Sequence, residues 1–212
     1  MGVNVDFAPV LDVGRRGGAI ENEQRTYSRR PGAVARSGVG YARGLAAGGV
    51  AATGKHFPGL GAARINTDNA VQRIGLPADT IRKVDERPYT SFSAAGGGLV
   101  MLSTAIYPAL SRRPAAFARA VATGELRDRL GFQGVSVTDS LDSTSARAFG
   151  GPALTARAAA EAGSDLALFT DLASAARAQR ALARGLSDGS LDRTAFDQSV
   201  NRVLALRATA SP

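Results

Sequence analysis

Val50-Ala51-Ala52-Thr53-Gly54-Lys55-His56-Phe57-Pro58-Gly59-Leu60-Gly61 is a short apolar run that ends in two ionisable side chains and breaks into a Pro-Gly-x-Gly turn. That order marks a buried strand whose carboxyl end opens into a loop, where α/β proteins place their chemistry. His56 is the only histidine in 212 residues. Lys55 is one of two lysines, with Lys83, in a chain whose other basic residues are all arginine. On composition alone the pair reads equally well as an ordinary strand end with a charged and an aromatic neighbour.

Four further apolar runs resemble this one: Val3–Phe7, Leu99–Ser103, Val135–Asp139 and Leu166–Thr170. Helical periodicity fills the intervals. Pro31 to Leu45 has proline in the first turn and Gly48-Gly49 at the exit. Ala78 to Ala94 follows, with Asp79 at its N-cap, then Pro114 to Leu130 and Pro152 to Ala162, each closed by a glycine. Ser174 to Leu186 and Asp192 to Thr209 come last. Alternating strands and helices with near-continuous apolar strands predict βα units and a parallel sheet covered on both faces. Polar residues stand at successive strand ends: Asp12, Lys55-His56, Ser103-Thr104, Thr138-Asp139 and Thr170-Asp171. That distribution favours the rim of a (β/α)8 TIM-type barrel over a doubly wound sheet, whose ligand sits at one switch point. No glycine sequence forms a strand-GxGxxG-helix unit, so a dinucleotide site has little support. Five strands do not close an eight-stranded barrel. Because the chain opens abruptly into a strand, the first strands are expected before Met1.

Composition narrows the chemistry. Apolar residues make up 44% and charged residues 21%, as in an ordinary globular chain. No stretch has the roughly 18 consecutive apolar residues of a membrane span. Cysteine is absent, which excludes disulfides, thiolate metal sites and thiol nucleophiles, and a single histidine excludes a histidine-rich metal site. No metal or cofactor is expected. The net charge of +8 permits nucleic-acid binding, but the arginines are scattered among alanines and acids as on solvated helix faces. Nucleic acid is therefore not the expected partner. Compartment and oligomeric state stay open.

Two carboxylates stand out. Asp139 ends the run Gly134-Val135-Ser136-Val137-Thr138-Asp139; at the tip of a buried strand it must be bonded, paired or functional. Its plainer reading is a cap for the segment after it. Asp68 lies in Ile65-Asn66-Thr67-Asp68-Asn69, a dozen residues past His56, and its plainer reading is an Asx-turn residue.

Asp6-Phe7-Ala8-Pro9-Val10-Leu11-Asp12-Val13, Lys55-His56-Phe57-Pro58-Gly59-x-Gly61, and Gly131-Phe132-x-Gly134-Val135 running into Thr138-Asp139 together resemble family 3 of the glycoside hydrolases. The similarity is closest to its single-domain β-N-acetylhexosaminidase branch and spans nearly the whole chain. It implies a barrel that removes β-linked terminal sugars with retention, through a covalent glycosyl-enzyme, with a carbohydrate as partner. By that resemblance Asp139 is the nucleophile, and Arg25, Lys55 and His56 bind sugar hydroxyls. A retaining enzyme needs one ionised carboxylate near the anomeric carbon, and Lys55 beside Asp139 would keep it so. Arg25 offers a rigid donor fork, Lys55 a movable charge, and His56 a ring nitrogen donating to one more hydroxyl.

Two departures qualify the resemblance. The hexosaminidase branch carries Asp-Ser-His after the lysine-histidine strand, its histidine giving the proton; here the matching triplet is Asn66-Thr67-Asp68. Asp68 then becomes the expected general acid/base. It must be neutral to donate, which needs burial under the sugar and repulsion from ionised Asp139. The second departure is the missing acidic segment expected before Met1, so this chain alone is expected to turn over little. Alternatives are a β-glucosidase or xylosidase of the same family, and a degenerate barrel that only binds sugar. A Schiff-base lyase using Lys55 is disfavoured, since nearby aspartates are expected to raise its pKa.

Overall fold

The computed structural model describes residues 2–210. Its elements in chain order are β1 (Val5–Asp6), α1 (Ala19–Asn22), α2 (Pro31–Ala47), β2 (Ala51–Phe57), α3 (Ala78–Thr80), α4 (Arg87–Ala94), β3 (Leu99–Leu102), β4 (Val135–Thr138), α5 (Thr144–Arg147), α6 (Pro152–Ala162), α7 (Leu172–Ser187) and α8 (Arg193–Thr209). The four strands form one parallel sheet in the order β1-β2-β3-β4. Each strand pairs with the next in sequence and the order never reverses. That is the winding of a barrel wall and not of a doubly wound sheet.

The expected helix limits hold closely for α2, α6, α7 and α8, where a proline in the first turn or an aspartate N-cap sets the start. Asp171 and Asp192 accept from the backbone N–H groups of Ser174 and Ala195. The Ala78–Ala94 stretch is not one helix. A wider π-helical turn, Ile81–Asp85, interrupts it. Nor is Asp79 its cap: Pro77 occupies that position, and Asp79 lies one residue inside, where it pairs with Lys83 at 3.0 Å across one turn. The Pro114–Leu130 stretch likewise resolves into a short 3₁₀ turn, Ala115–Phe117, and a π-helical segment, Ala120–Arg129.

The fifth run forms no strand. Only Leu166 bridges to Val137. Beyond it, the Thr138 hydroxyl accepts from Leu168 N at 3.0 Å, and the Asp142 carboxylate accepts from Thr170 N (2.8 Å) and Asp171 N (3.0 Å). Backbone bonds also join the segment to β4 and the loop after it, Leu166 N to Ser136 O (3.0 Å), Thr138 N to Leu166 O (2.9 Å) and Leu141 N to Leu168 O (2.9 Å), so it runs beside β4 with side chains supplementing an irregular ladder.

Both sheet faces are buried, as the continuous apolar strands require. On one face Val100 and Leu102 join a large core with Phe57, Tyr89, Phe92, Phe117, Val121 and Leu126 from the surrounding helices and loops. On the other, Leu99, Met101, Val135 and Val137 pack against Val203 and Leu206 of α8. Leu206 also reaches the position where a Cβ on Gly98 would stand, so α8 covers the amino ends of the strands. The opposite, carboxyl ends are left to the loops.

Two of those loops meet backbone to backbone. A Cβ added to Gly61 would stand 1.9 Å from the Val13 carbonyl oxygen, and one added to Gly18 would stand 2.4 Å from that of Gly61. Gly61→Ala is therefore expected to destabilise the protein by about 3 kcal/mol, since only backbone movement relieves the overlap. Gly40→Ala is the control. Its Cβ meets nothing within 4 Å, and alanine is the better helix former. Urea unfolding of both variants tests the contrast.

Candidate active site at the strand carboxyl ends

β2 ends on Lys55 and His56, consecutive side chains that an unbroken strand with its period of two would send to opposite faces. Its pairing with β3 is broken at this point. Lys55 pairs with Met101 and Phe57 with Leu102, so His56 is an extra residue in a bulge. A bulge re-aims the chain locally and is common beside active sites. Lys55 stays half-buried, while His56 is 4% exposed.

The His56 ring is held from behind by Asp12, which is fully buried. Asp12 Oδ2 lies 2.8 Å from His56 Nδ1, and Asp12 Oδ1 accepts from His56 N at 3.1 Å and Leu60 N at 2.6 Å. One carboxylate thus ties together the strand end and the turn after it. Under the same turn, Arg15 grips the buried Asp85 carboxylate with both terminal nitrogens, at 2.6 and 2.7 Å. The Tyr107 hydroxyl donates to the Gly59 carbonyl at 3.0 Å. A Cβ on Gly59 would stand 2.7 Å from that of Asp85. The turn rests directly on the ion pair.

Asp139 sits at the tip of β4. Its N–H donates to Leu102 O at 2.8 Å, continuing the ladder, and its Oδ1 accepts from Ser140 N at 2.8 Å. The loop bearing Asp68 is fastened to the helix that follows Asp139. The amides of Thr144 and Ser145, at the start of α5, donate to the carbonyls of Asp68 (3.2 Å) and Thr67 (3.1 Å). Asp68 N in turn donates to Asn66 Oδ1 at 3.0 Å, so the Asx turn in this loop is made by the Asn66 side chain and not by that of Asp68. The Asn66 amide group donates to Glu23, which also accepts from Arg25 at 2.9 Å. Thr26 closes the frame by donating its hydroxyl to the Asp12 carbonyl at 2.7 Å.

The five residues singled out in the sequence thus come within electrostatic reach of one another. Partial burial and the Asp139 charge push the Asp68 carboxyl above the usual aspartate range, against the pull of His56 and Arg25. Asp68 is still open to solvent; a sugar lying over it would deepen the desolvation and strengthen that push. Burial, followed by the Arg25 guanidinium, holds the Lys55 ammonium below the ordinary lysine range, and Asp139, Asp12 and Asp6 pull the other way. This reverses the expected direction, because depth at the strand end and the incoming arginine outweigh the carboxylates. It removes the electrostatic objection to a Schiff-base lysine, which borohydride trapping with a carbonyl compound tests directly.

Sequence reasoning missed the supports: Asp12 as the partner of His56, Glu23 between Arg25 and Asn66, and the Arg15–Asp85 pair. Asp12 was visible as a carboxylate ending the apolar run Val10-Leu11, but its partners lie 44 and 48 residues away. A cleft of about 880 Å³ lies elsewhere, beside α6, α7 and α8, and none of the five residues lines it. Among the described residues no group of three or more His, Asp or Glu side chains is placed to hold a metal ion, and no helix is long and apolar enough to cross a membrane.

The family model for the glycosyl hydrolase family 3 N terminal domain matches residues 1–206. The chain belongs to glycosyl hydrolase family 3. An uncharacterized secreted glycosyl hydrolase of Arthroderma benhamiae is 36% identical over 99% of this chain and 61% of its own length. A β-hexosaminidase of Stenotrophomonas maltophilia is 37% identical over 79% of this chain and 49% of its own. Among solved structures, a family 3 β-N-acetylglucosaminidase from Paenibacillus sp. str. FPU-7 superposes with a TM-score of 0.94 at 32% identity, covering 99% of this chain and 40% of that one. This family 3 chain therefore spans about half to three-fifths of the length of those curated relatives. Its parallel sheet is part of the TIM-type barrel of the family's N-terminal domain.

Proposed function

We propose that this family 3 chain carries the site of a retaining exo-glycosidase that removes terminal β-N-acetylglucosaminyl groups, as from peptidoglycan or chitin fragments. Asp139 is the nucleophile and Asp68 the general acid/base, while Arg25, Lys55 and His56 bind sugar hydroxyls. The observation that carries the reading is the asymmetry between the two carboxyl groups. Asp139 stands at a strand tip, and Asp68, on a loop fastened to the segment behind it, is pushed toward its neutral form by burial and by the Asp139 charge. Two carboxyl groups in contrasting environments are what double displacement at an anomeric carbon requires. The β-hexosaminidase relatives support the N-acetyl sugar. A β-glucosidase or xylosidase specificity is the alternative within the family, and an aryl-glycoside panel separates them.

Asp68→Asn tests the acid/base role. Turnover of unactivated glycosides is expected to fall by about 10²- to 10⁴-fold, while dinitrophenyl glycosides, which need no leaving-group proton, are much less affected. The sign of the pH effect follows from the raised pKa. The proton stays on Asp68 to a higher pH than on a free aspartate, and activity on unactivated glycosides falls as pH rises through that titration. The falling limb is expected to vanish in Asp68→Asn. Wild-type rates for this variant on unactivated substrates would remove Asp68 from the mechanism.

A further inference from the structure

The ring of His56 is not free to choose its proton. Asp12 is fully buried, and its Oδ1 is already occupied by two backbone donors, His56 N and Leu60 N. Its Oδ2 lies 2.8 Å from His56 Nδ1. An ionised carboxylate only accepts, so the hydrogen between Oδ2 and Nδ1 belongs to the imidazole. Nε2 has no hydrogen-bond partner among the described residues and is not among their polar atoms sealed from solvent. We infer that Asp12 is a positioning residue that fixes His56 as its Nδ1–H tautomer, so that Nε2 meets the ligand as a hydrogen-bond acceptor. This changes what the site reads. Arg25 and Lys55 can only donate, and they are satisfied by any lone pair. His56 instead requires a group that gives a proton, so one position on the ligand must be a hydroxyl and not merely an acceptor. The ligand part of the inference rests on the sugar-binding reading above; the tautomer part does not.

Because His56 is the only histidine in the chain, its imidazole can be followed without assignment. The experiment is nitrogen-15 NMR of the histidine-labelled chain, carrying no histidine tag, at mildly alkaline pH, where a free imidazole is neutral. A proton on Nδ1 and a bare Nε2 is the expected spectrum. A proton on Nε2, or a doubly protonated ring at that pH, overturns the inference with no variant needed. In Asp12→Asn the side-chain oxygen keeps both backbone donors, and its NH₂ turns to Nδ1, so the proton is expected to move to Nε2. An unchanged tautomer in a folded variant also overturns it. Affinity for N-acetylglucosamine derivatives bearing fluorine in place of single hydroxyls completes the test, since fluorine accepts weakly and cannot donate. One derivative is expected to bind the wild type about tenfold more weakly, matching one charge-free hydrogen bond, and to regain its affinity relative to the parent sugar in Asp12→Asn. Equal affinity across the series, with the parent bound, overturns the acceptor role. No binding of the parent sugar, with Nδ1–H seen by NMR, instead removes the sugar reading and leaves the tautomer standing.

Discussion

Asp139→Asn is expected to lower turnover on every glycoside, activated or not, by roughly 10⁴- to 10⁶-fold, the range seen when a covalent catalyst loses its nucleophile. The side chain ends β4, with its backbone N–H still in the ladder to Leu102 and one carboxylate oxygen on Ser140 N. Asparagine can keep that oxygen and so keep the fold, while losing the charge that attacks. Substrate affinity is expected to change little, so the loss should appear in kcat. The contrast with Asp68→Asn is the decisive feature: leaving-group activation rescues the acid variant and does not rescue Asp139→Asn. A 2-fluoro glycosyl fluoride is expected to label the wild type on Asp139, seen by peptide mass, and to leave Asp139→Asn unlabelled. Label on another residue would move the nucleophile elsewhere. Sugar bound without any label would favour the degenerate, binding-only barrel.

The second large effect falls on stability. Arg15→Ala leaves the Asp85 carboxylate, 1% exposed, without the guanidinium that holds both its oxygens. Removing one partner of a buried pair costs about 3–5 kcal/mol, because the remaining charge has neither water nor partner. For a chain of this size that is roughly a 10 °C drop in Tm. The pH dependence has a definite sign. Burial pushes the Asp85 carboxyl above the usual range even in the wild type, and Arg15 opposes that push. The folded state therefore binds this proton more readily than the unfolded state does, and the group's contribution falls as pH rises through its titration. In Arg15→Ala the push is unopposed, so the deficit is expected to be largest near neutral pH and to shrink on acidification. Replacing both residues by alanine should recover part of the loss. Because Gly59 and the Lys55-His56 strand end rest on this pair, the single variant should also lose activity at temperatures where it is still folded.

How much of this was legible beforehand depended on the range of the interaction concerned. Strand β2, the glycine-terminated α6 and the aspartate-capped α7 and α8 follow from local rules that four or five consecutive residues satisfy. The π-helical turn at Ile81–Asp85 does not, because the apolar pattern around it fits an unbroken helix equally well. The run Leu166–Thr170 has a strand's composition, yet past Leu166 its amides at Leu168 and Thr170 are taken by the Thr138 and Asp142 side chains, 30 and 28 residues away, and no regular strand forms. The direction of the Lys55 pKa shift has a related cause: a neighbouring carboxylate is readable from the sequence, but the depth of the ammonium and the Arg25 guanidinium beside it are not.

By itself the sequence determined the winding, the family and which side chains are candidates for the chemistry. Strand periodicity, glycine stops and the spacing of Lys55-His56, Asp68 and Asp139 are properties of the chain in one dimension. Tertiary structure alone decided how those side chains are held. The bulge at His56, the fastening of the Asp68 loop to α5, the Arg15–Asp85 pair beneath Gly59 and the Asp12 carboxylate behind the ring all join residues tens of positions apart. Hydrogen bonds and burial act through space, so the proton on His56 is set by a neighbour that no local pattern reveals.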